Sequence, residues 1–192
     1  IARPENESEV KSLLEYAQSN GTSITFRAAG TSLSGQAVTK GIIAEVVRGW
    51  KQHDILDNGA AIRMQPGVIG GRANLHLQPY HRRIGPDPAS IDSAMIGGII
   101  SNNSSGMVCG VKHNSYHTLR HIRFILANGN CYDTSNPDDY GKFLDVEKDL
   151  CTGLLLCGKE IETNSSLKNK VRQKYSIKNT LGYSLNAFID FD

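Results

Sequence analysis

No stretch of this 192-residue chain approaches the roughly 20 apolar residues of a membrane-spanning helix, and its N-terminus lacks a basic-then-apolar leader. A soluble protein is expected. Lysine and arginine never run longer than two in succession and the formal net charge is only +2, which leaves little electrostatic case for a nucleic-acid partner. Cysteine is sparse: Cys109, Cys131, Cys151 and Cys157 stand far apart or at spacings that fit no zinc or iron–sulfur signature. Reduced thiols in a cytoplasmic protein follow, with attachment at the inner face of a membrane as the alternative. The Asn-x-Ser/Thr matches starting at Asn6, Asn20, Asn102, Asn103 and Asn164 are read as chance, since a sequon has meaning only in a secreted protein. Gly-Lys-Ser/Thr and GxGxxG are both missing, which sets aside the phosphate loop of nucleotide triphosphatases and the dinucleotide-binding βαβ unit. No repeat or low-complexity tract occurs. No Ser/His/Asp or Cys/His set with motif support appears either, so no catalytic residue is assigned and the chemistry is expected to belong to a cofactor.

What is present is a 39% hydrophobic chain, long enough for one large domain or two small lobes. "RPENESEVKSLLEYAQSNG" predicts an amphipathic helix with Pro4 just inside its start. "SITFR" and "GIIAEV" read as strands flanking a glycine loop, and "HDILD" and "AAIRMQPG" as a hairpin about Asn58-Gly59. A helix from Val68 is ended or kinked by Pro79, "IGPDPAS" is turn chemistry, and "TLRHIRFILANGNCYD" reads as strand, turn and strand. From Asp145 onward the chain reads as helices broken near Asn164 to Ser166. His113, His117 and His121 recur every four residues, but a strand reading of "TLRHIRFIL" scatters them, so no metal site is expected. The lysines and arginines from Lys168 to Lys174 read as a solvated helix face. "GVIGG" at Gly67 to Gly71 has no hydroxyls and reads as turn and packing glycine.

"GTSLSG", Gly30 to Gly35, places two glycines around three hydroxyl side chains directly after a strand and Arg27. Freed backbone amides, hydroxyl donors and a guanidinium describe a place where a polyanion lies against the main chain. Because a strand follows the loop, no helix dipole stands beneath it.

The ordered series "RAAGTSLSGQ", "GPDPAS", "SAMIGGIISNNSSG" and a strand ending "LANG" resembles the FAD-binding (PCMH-type) domain of the vanillyl-alcohol oxidase family, in its D-lactate, glycolate and 2-hydroxyglutarate dehydrogenase branch. The resemblance implies an α+β fold with two lobes, a small N-terminal α/β lobe over residues 1–83 and a larger, incomplete second α+β lobe over residues 84–192, with FAD extended between them. It implies that Ala28, Ala29, Gly30, Thr31, Ser32, Leu33, Ser34 and Gly35 wrap the pyrophosphate, with Arg27 leading into the loop as a further cofactor-binding residue. Pro86, Asp87, Pro88, Ser93, Gly97, Gly98, Asn103 and Gly106 are expected along the ribityl chain and isoalloxazine, with His113 at the cofactor's edge. Two positions depart from the family pattern: Ile99 stands where asparagine is common, and Ser105 where glycine is common. Thr31 occupies the place of a histidine that carries covalent flavin in some relatives, so the FAD is expected to be non-covalent.

The implied activity is hydride removal from a 2-hydroxy acid such as D-lactate or glycolate, in a flavin-dependent dehydrogenase or oxidase. The substrate pocket is expected from a C-terminal domain, and an iron–sulfur domain or another electron acceptor as a further partner. The chain begins at Ile1, not methionine, and ends in "LNAFIDFD", so it reads as an excised piece. It is expected to be inactive alone and, for want of a further strand, to hold FAD weakly or pair through a sheet edge. The alternatives are an FAD/NADPH-dependent reductase of an enolpyruvyl nucleotide sugar and a non-catalytic nucleotide-binding module.

Overall fold

The computed structural model describes residues 1–191; Asp192, the last residue of the expected second lobe, lies outside the described residues. Helix α1 spans Glu7–Ser19 and buries Val10 and Ala17. Its N-cap is Asn6, whose side-chain oxygen accepts from the Glu9 amide at 3.0 Å, while the Glu9 carboxylate reaches back to the Glu5 amide at 2.8 Å. This reciprocal cap corrects the expectation that Pro4 opens the helix. Pro4 instead sits buried ahead of it, and its carbonyl accepts a 2.7 Å bond from the Trp50 indole.

Strands β1 (Ile24–Arg27) and β2 (Ile42–Glu45) pair in parallel, with Arg27 opposite Glu45 at their C-terminal ends. Strands β3 (His53–Leu56) and β4 (Ala61–Met64) form the expected hairpin. Its turn takes Asp57, Asn58 and Gly59 to φ of 51°, 50° and 83°, which asparagine and glycine tolerate best. Helix α2 (Gly70–Leu77) ends in a 3-10 turn at Gln78–Tyr80 that contains Pro79. Helix α3 (Ile96–Ser101) is followed by the one-turn helix α4 (Ser115–Thr118), and strands β5 (Arg123–Ile125) and β6 (Cys131–Asp133) make a second hairpin. The first strand of that hairpin is shorter than expected, because Thr118 closes α4 and only Arg123 onward pairs.

The main buried cluster is Val68, Ala73, Ala94, Ile96 and Ile99, with Ile62, Met64, Ile84, Ile91 and Ile100 packed against it. It joins β4, α2 and α3 across the turn that holds Pro86 and Pro88. An isolated bridge between Ile69 and Met95 pins the start of α3 beside the start of α2.

Four helices close the chain: α5 (Pro137–Val146), α6 (Lys148–Thr163), α7 (Ser165–Tyr175) and α8 (Ala187–Asp190). The break between α6 and α7 falls at Asn164, whose side chain caps α7 through the Leu167 amide at 3.0 Å. Helix α5 was not anticipated, although Asn136 caps it, Pro137 opens it and Asp138 and Asp139 fill its first turn. Glu147 fastens this layer to the hairpin turn by accepting from Asn130 at 2.7 Å, the Tyr132 hydroxyl at 2.8 Å and Asn128 at 3.0 Å. Among the described residues no helix is long and apolar enough to cross a membrane.

Candidate cofactor site

Parallel strands leave their C-terminal ends on one side, and ligands of open parallel sheets bind outside those ends. The Gly30 loop leaves the sheet there. Arg27, Ala28 and Ala29 are half-buried at its base, while Gly30, Thr31, Ser32, Leu33, Ser34 and Gly35 are exposed. Gly30 and Gly35 have φ of 67° and 79°, which other residues adopt only at a cost. A Cβ on Gly30 would stand 2.7 Å from the Arg27 Nε, so the guanidinium lies against the glycine. The Ser32 hydroxyl bonds to the Gln36 side chain, and the Val38 amide donates to the Gly35 carbonyl at 3.0 Å. From Gly30 to Ala37, no backbone N–H donates to another group among the described residues. A short loop of free amides and hydroxyls is the donor set a diphosphate requires.

The second cluster is fastened by Asp87. Its carboxylate accepts from the Cys109 amide at 3.2 Å and the Val108 amide at 3.3 Å, and Gly106 lies so close to it that a Cβ there would overlap both the carboxylate and the Asp87 carbonyl. The Gly106 amide donates to the Cys109 thiol sulfur at 2.9 Å. Pro86 is buried beside this clasp and Pro88 half-buried, its carbonyl accepting from the Ile91 amide at 2.9 Å. Ser93 is exposed on the turn that follows, its amide donating to the Ser90 carbonyl.

The paired glycines of α3 differ from each other. Gly97 is pressed against Pro66, 2.8 Å from the place its Cβ would take, whereas Gly98 is exposed and faces open space. Ile99, the departure from the family pattern, is 1% exposed within the main buried cluster. Its side chain serves packing. Asn103 is buried at φ 44°, and its side-chain oxygen accepts from the Tyr116 amide at 2.9 Å. Ser105, the other departure, is 6% exposed, and its hydroxyl oxygen is one of two buried side-chain oxygens without a partner among the described residues. A buried hydroxyl with no partner costs free energy unless a ligand supplies one. His113 is exposed on the turn before α4, and the His117 ring is engaged by the Asn114 side chain at 2.9 Å.

A cleft of about 420 Å³ at the base of the loop is lined by Arg3, Arg27, Ala28, Ala29, Glu45, Val47, Arg48 and Met95, and no residue of the second cluster lines it. Arg27, Ala28 and Ala29 come from the base of the loop, and Met95 is the N-cap of α3, separated from the glycine pair by Ile96. Arg3, Glu45, Val47, Arg48 and Met95 were not anticipated. The parallel pairing of β1 with β2 brings Glu45, Val47 and Arg48 beside Arg27, and the Ile69–Met95 bridge sets Met95 near them. No local spacing carries that information. The hydrogen bond from Arg3 at 2.8 Å holds the Glu45 carboxyl below its usual range, so it stays ionised. A second cleft of about 530 Å³, lined by Ile69, Gly71, Arg72, Asn74, Leu75 and Asp92, contains none of the anticipated residues.

Residues 1–135 match the model of the FAD binding domain family. Among curated proteins the chain is 29% identical to D-2-hydroxyglutarate dehydrogenase of Escherichia coli K12 over 62% of its own length, and 28% identical to glycolate oxidase subunit GlcD of the same organism over 67%. The matched parts are 12% and 26% of those two proteins. Among solved structures it is similar to 6-hydroxy-D-nicotine oxidase of Arthrobacter nicotinovorans, with a TM-score of 0.61 and 21% identity over 69% of this chain and 29% of that one. The BBE-like 1 protein of Physcomitrella patens is also similar, with a TM-score of 0.57 and 17% identity over 69% of this chain and 29% of that one.

Proposed function

The chain belongs to the FAD binding domain family, and from that premise we propose that it is the cofactor-binding portion of a flavin dehydrogenase of the vanillyl-alcohol oxidase type acting on a 2-hydroxy acid. FAD is the cofactor. The observation that carries the reading is the cleft in which the base of the Gly30 loop meets Met95 at the head of α3. In this reading the free amides from Gly30 to Ala37 hold the diphosphate, Gly98 lets the flavin end lie against α3, and the Ser105 hydroxyl gains the partner it lacks.

FAD, when bound, supplies the acceptor for the hydride that leaves the carbinol carbon. The protein's share is to bind and orient: Asp87 fixes the segment from Gly106 to Cys109, and Asn103 fixes α4 behind it. No histidine or cysteine lies between Arg27 and Gln36, so binding is non-covalent. The family branch, with D-2-hydroxyglutarate dehydrogenase and glycolate oxidase as the curated relatives, supports a 2-hydroxy acid as substrate, and the rest of a longer protein supplies its pocket and the electron acceptor. The test is anaerobic mixing of the full-length protein with a panel of D-2-hydroxy acids while the visible flavin band is followed. Bleaching by at least one 2-hydroxy acid, and not by simple alcohols, is expected. A flavin that none of them reduces contradicts the proposal, as does flavin that stays with the acid-denatured polypeptide for the non-covalent assignment.

A further inference from the structure

Three guanidinium groups, those of Arg3, Arg27 and Arg48, line the 420 Å³ cleft, against the single carboxylate of Glu45. The lining therefore carries a net positive charge equal and opposite to the charge of a diphosphate diester. The three arginines are not equivalent. Arg3 is paired with Glu45 at 2.8 Å, whereas the side chains of Arg27 and Arg48 have no hydrogen-bond or ion-pair partner among the described residues. Arg27 leaves β1, Glu45 ends β2 directly opposite it, and Arg48 follows within three residues, so the unpartnered cations and the half-neutralised one stand together at the strand ends.

We propose that Arg48 and Arg3 join Arg27 in a clamp on the diphosphate of FAD, and that Glu45 is an internal anion that occupies Arg3 and competes with the ligand for it. This rests on the reading of the cleft as an FAD site and adds to it residues beyond the glycine loop. Forked guanidinium donors match phosphate oxygens in geometry as well as charge, and a concave lining strengthens both. The clamp makes the site select a dinucleotide over riboflavin, because only the former brings the diphosphate. It also gives Glu45 an effect of unusual sign. Removing its charge leaves Arg3 free for the ligand, so affinity rises although an ion pair is lost.

The test is titration of FAD and of riboflavin into the parent chain, Arg48→Gln and Glu45→Gln, followed by quenching of Trp50, the chain's single tryptophan, with a thermal melt of each variant as a check on folding. Arg48→Gln is expected to weaken FAD about tenfold with riboflavin unchanged, and Glu45→Gln to tighten FAD several-fold. Parent-like FAD affinity in Arg48→Gln, equal losses for FAD and riboflavin, or weaker FAD binding in a fully folded Glu45→Gln overturns the clamp and leaves the FAD site standing. A parent chain that binds neither flavin refutes the site itself, and the clamp with it.

Discussion

Replacing Gly106 with alanine tests how far the cofactor segment depends on its fit to Asp87. A Cβ on Gly106 would overlap the Asp87 carboxylate and carbonyl, far inside the 3.0 Å that real Cβ atoms respect, and both neighbours belong to a turn held by Pro86 and Pro88. The overlap is relieved only if the segment from Gly106 to Cys109 moves away. That movement breaks the bonds from Val108 and Cys109 to Asp87, at 3.3 and 3.2 Å. At these lengths each is worth about 1 kcal/mol, giving a loss of about 2 kcal/mol. For a chain of this size the melting temperature should fall by about 4–8 °C. If the same displacement is felt by the flavin, FAD affinity drops roughly thirtyfold. Melting followed by Trp50 fluorescence and FAD titration read the two effects separately. A Gly106→Ala protein that melts with the parent and binds FAD equally well would refute the Asp87 clasp.

Gly98→Ala is the complementary change, since nothing stands within 4 Å of the added carbon and alanine favours a helix over glycine by about 1 kcal/mol. Stability should hold or rise while FAD affinity falls at least several-fold; unchanged affinity would remove Gly98 from the cofactor's path. Gly30→Val forces a β-branched residue to φ 67° against Arg27, at a cost of about 1–2 kcal/mol, and should abolish FAD binding in a chain that still folds. Parent-like binding would sink the cradle assignment. Hydrogen bonds from Asn130, then Tyr132 and Asn128, hold the Glu147 carboxyl below its ordinary 4.5. A carboxyl depressed in the folded state stabilises it above the unfolded value and loses that contribution as pH falls through the folded one. The melting temperature should therefore decline as pH drops below 4.5, and Glu147→Gln should flatten that decline; an unchanged acid limb would show the knot to be inert.

Where the chemistry is local, the sequence was legible. Asn58-Gly59 marks a hairpin because few residues accept its positive φ, Asn164 marks the α6–α7 break because its side chain caps the next helix, and the Gly30 loop advertises free amides through its glycines and hydroxyls. Pro4 misled, because its favourable place in a first turn was overridden by Asn6 and Glu9, which satisfy two amides together. The helical reading starts only at Asp145, although Asn136 and Pro137 signal the start of α5. Of the cleft, only Arg27, Ala28 and Ala29 were legible. Arg27 stands next to the loop in sequence, but Arg48 and Glu45 reach it through parallel pairing and Met95 through one bridge, and such contacts leave no periodic trace. Ser105 stands out in the sequence only as a departure from the family pattern, and its burial without a partner is visible only in the structure.

The central claim is that this chain carries the FAD site in its own residues, and the most direct measurement is titration of FAD into the purified chain, followed by quenching of Trp50 and by the shape of the visible flavin band. Saturable binding of one FAD per chain, with quenching and a structured band that mark a flavin removed from water, is the result the account requires. An unquenched tryptophan and a free-flavin spectrum up to about 100 μM FAD, well above the range in which a specific cofactor site fills, would contradict it.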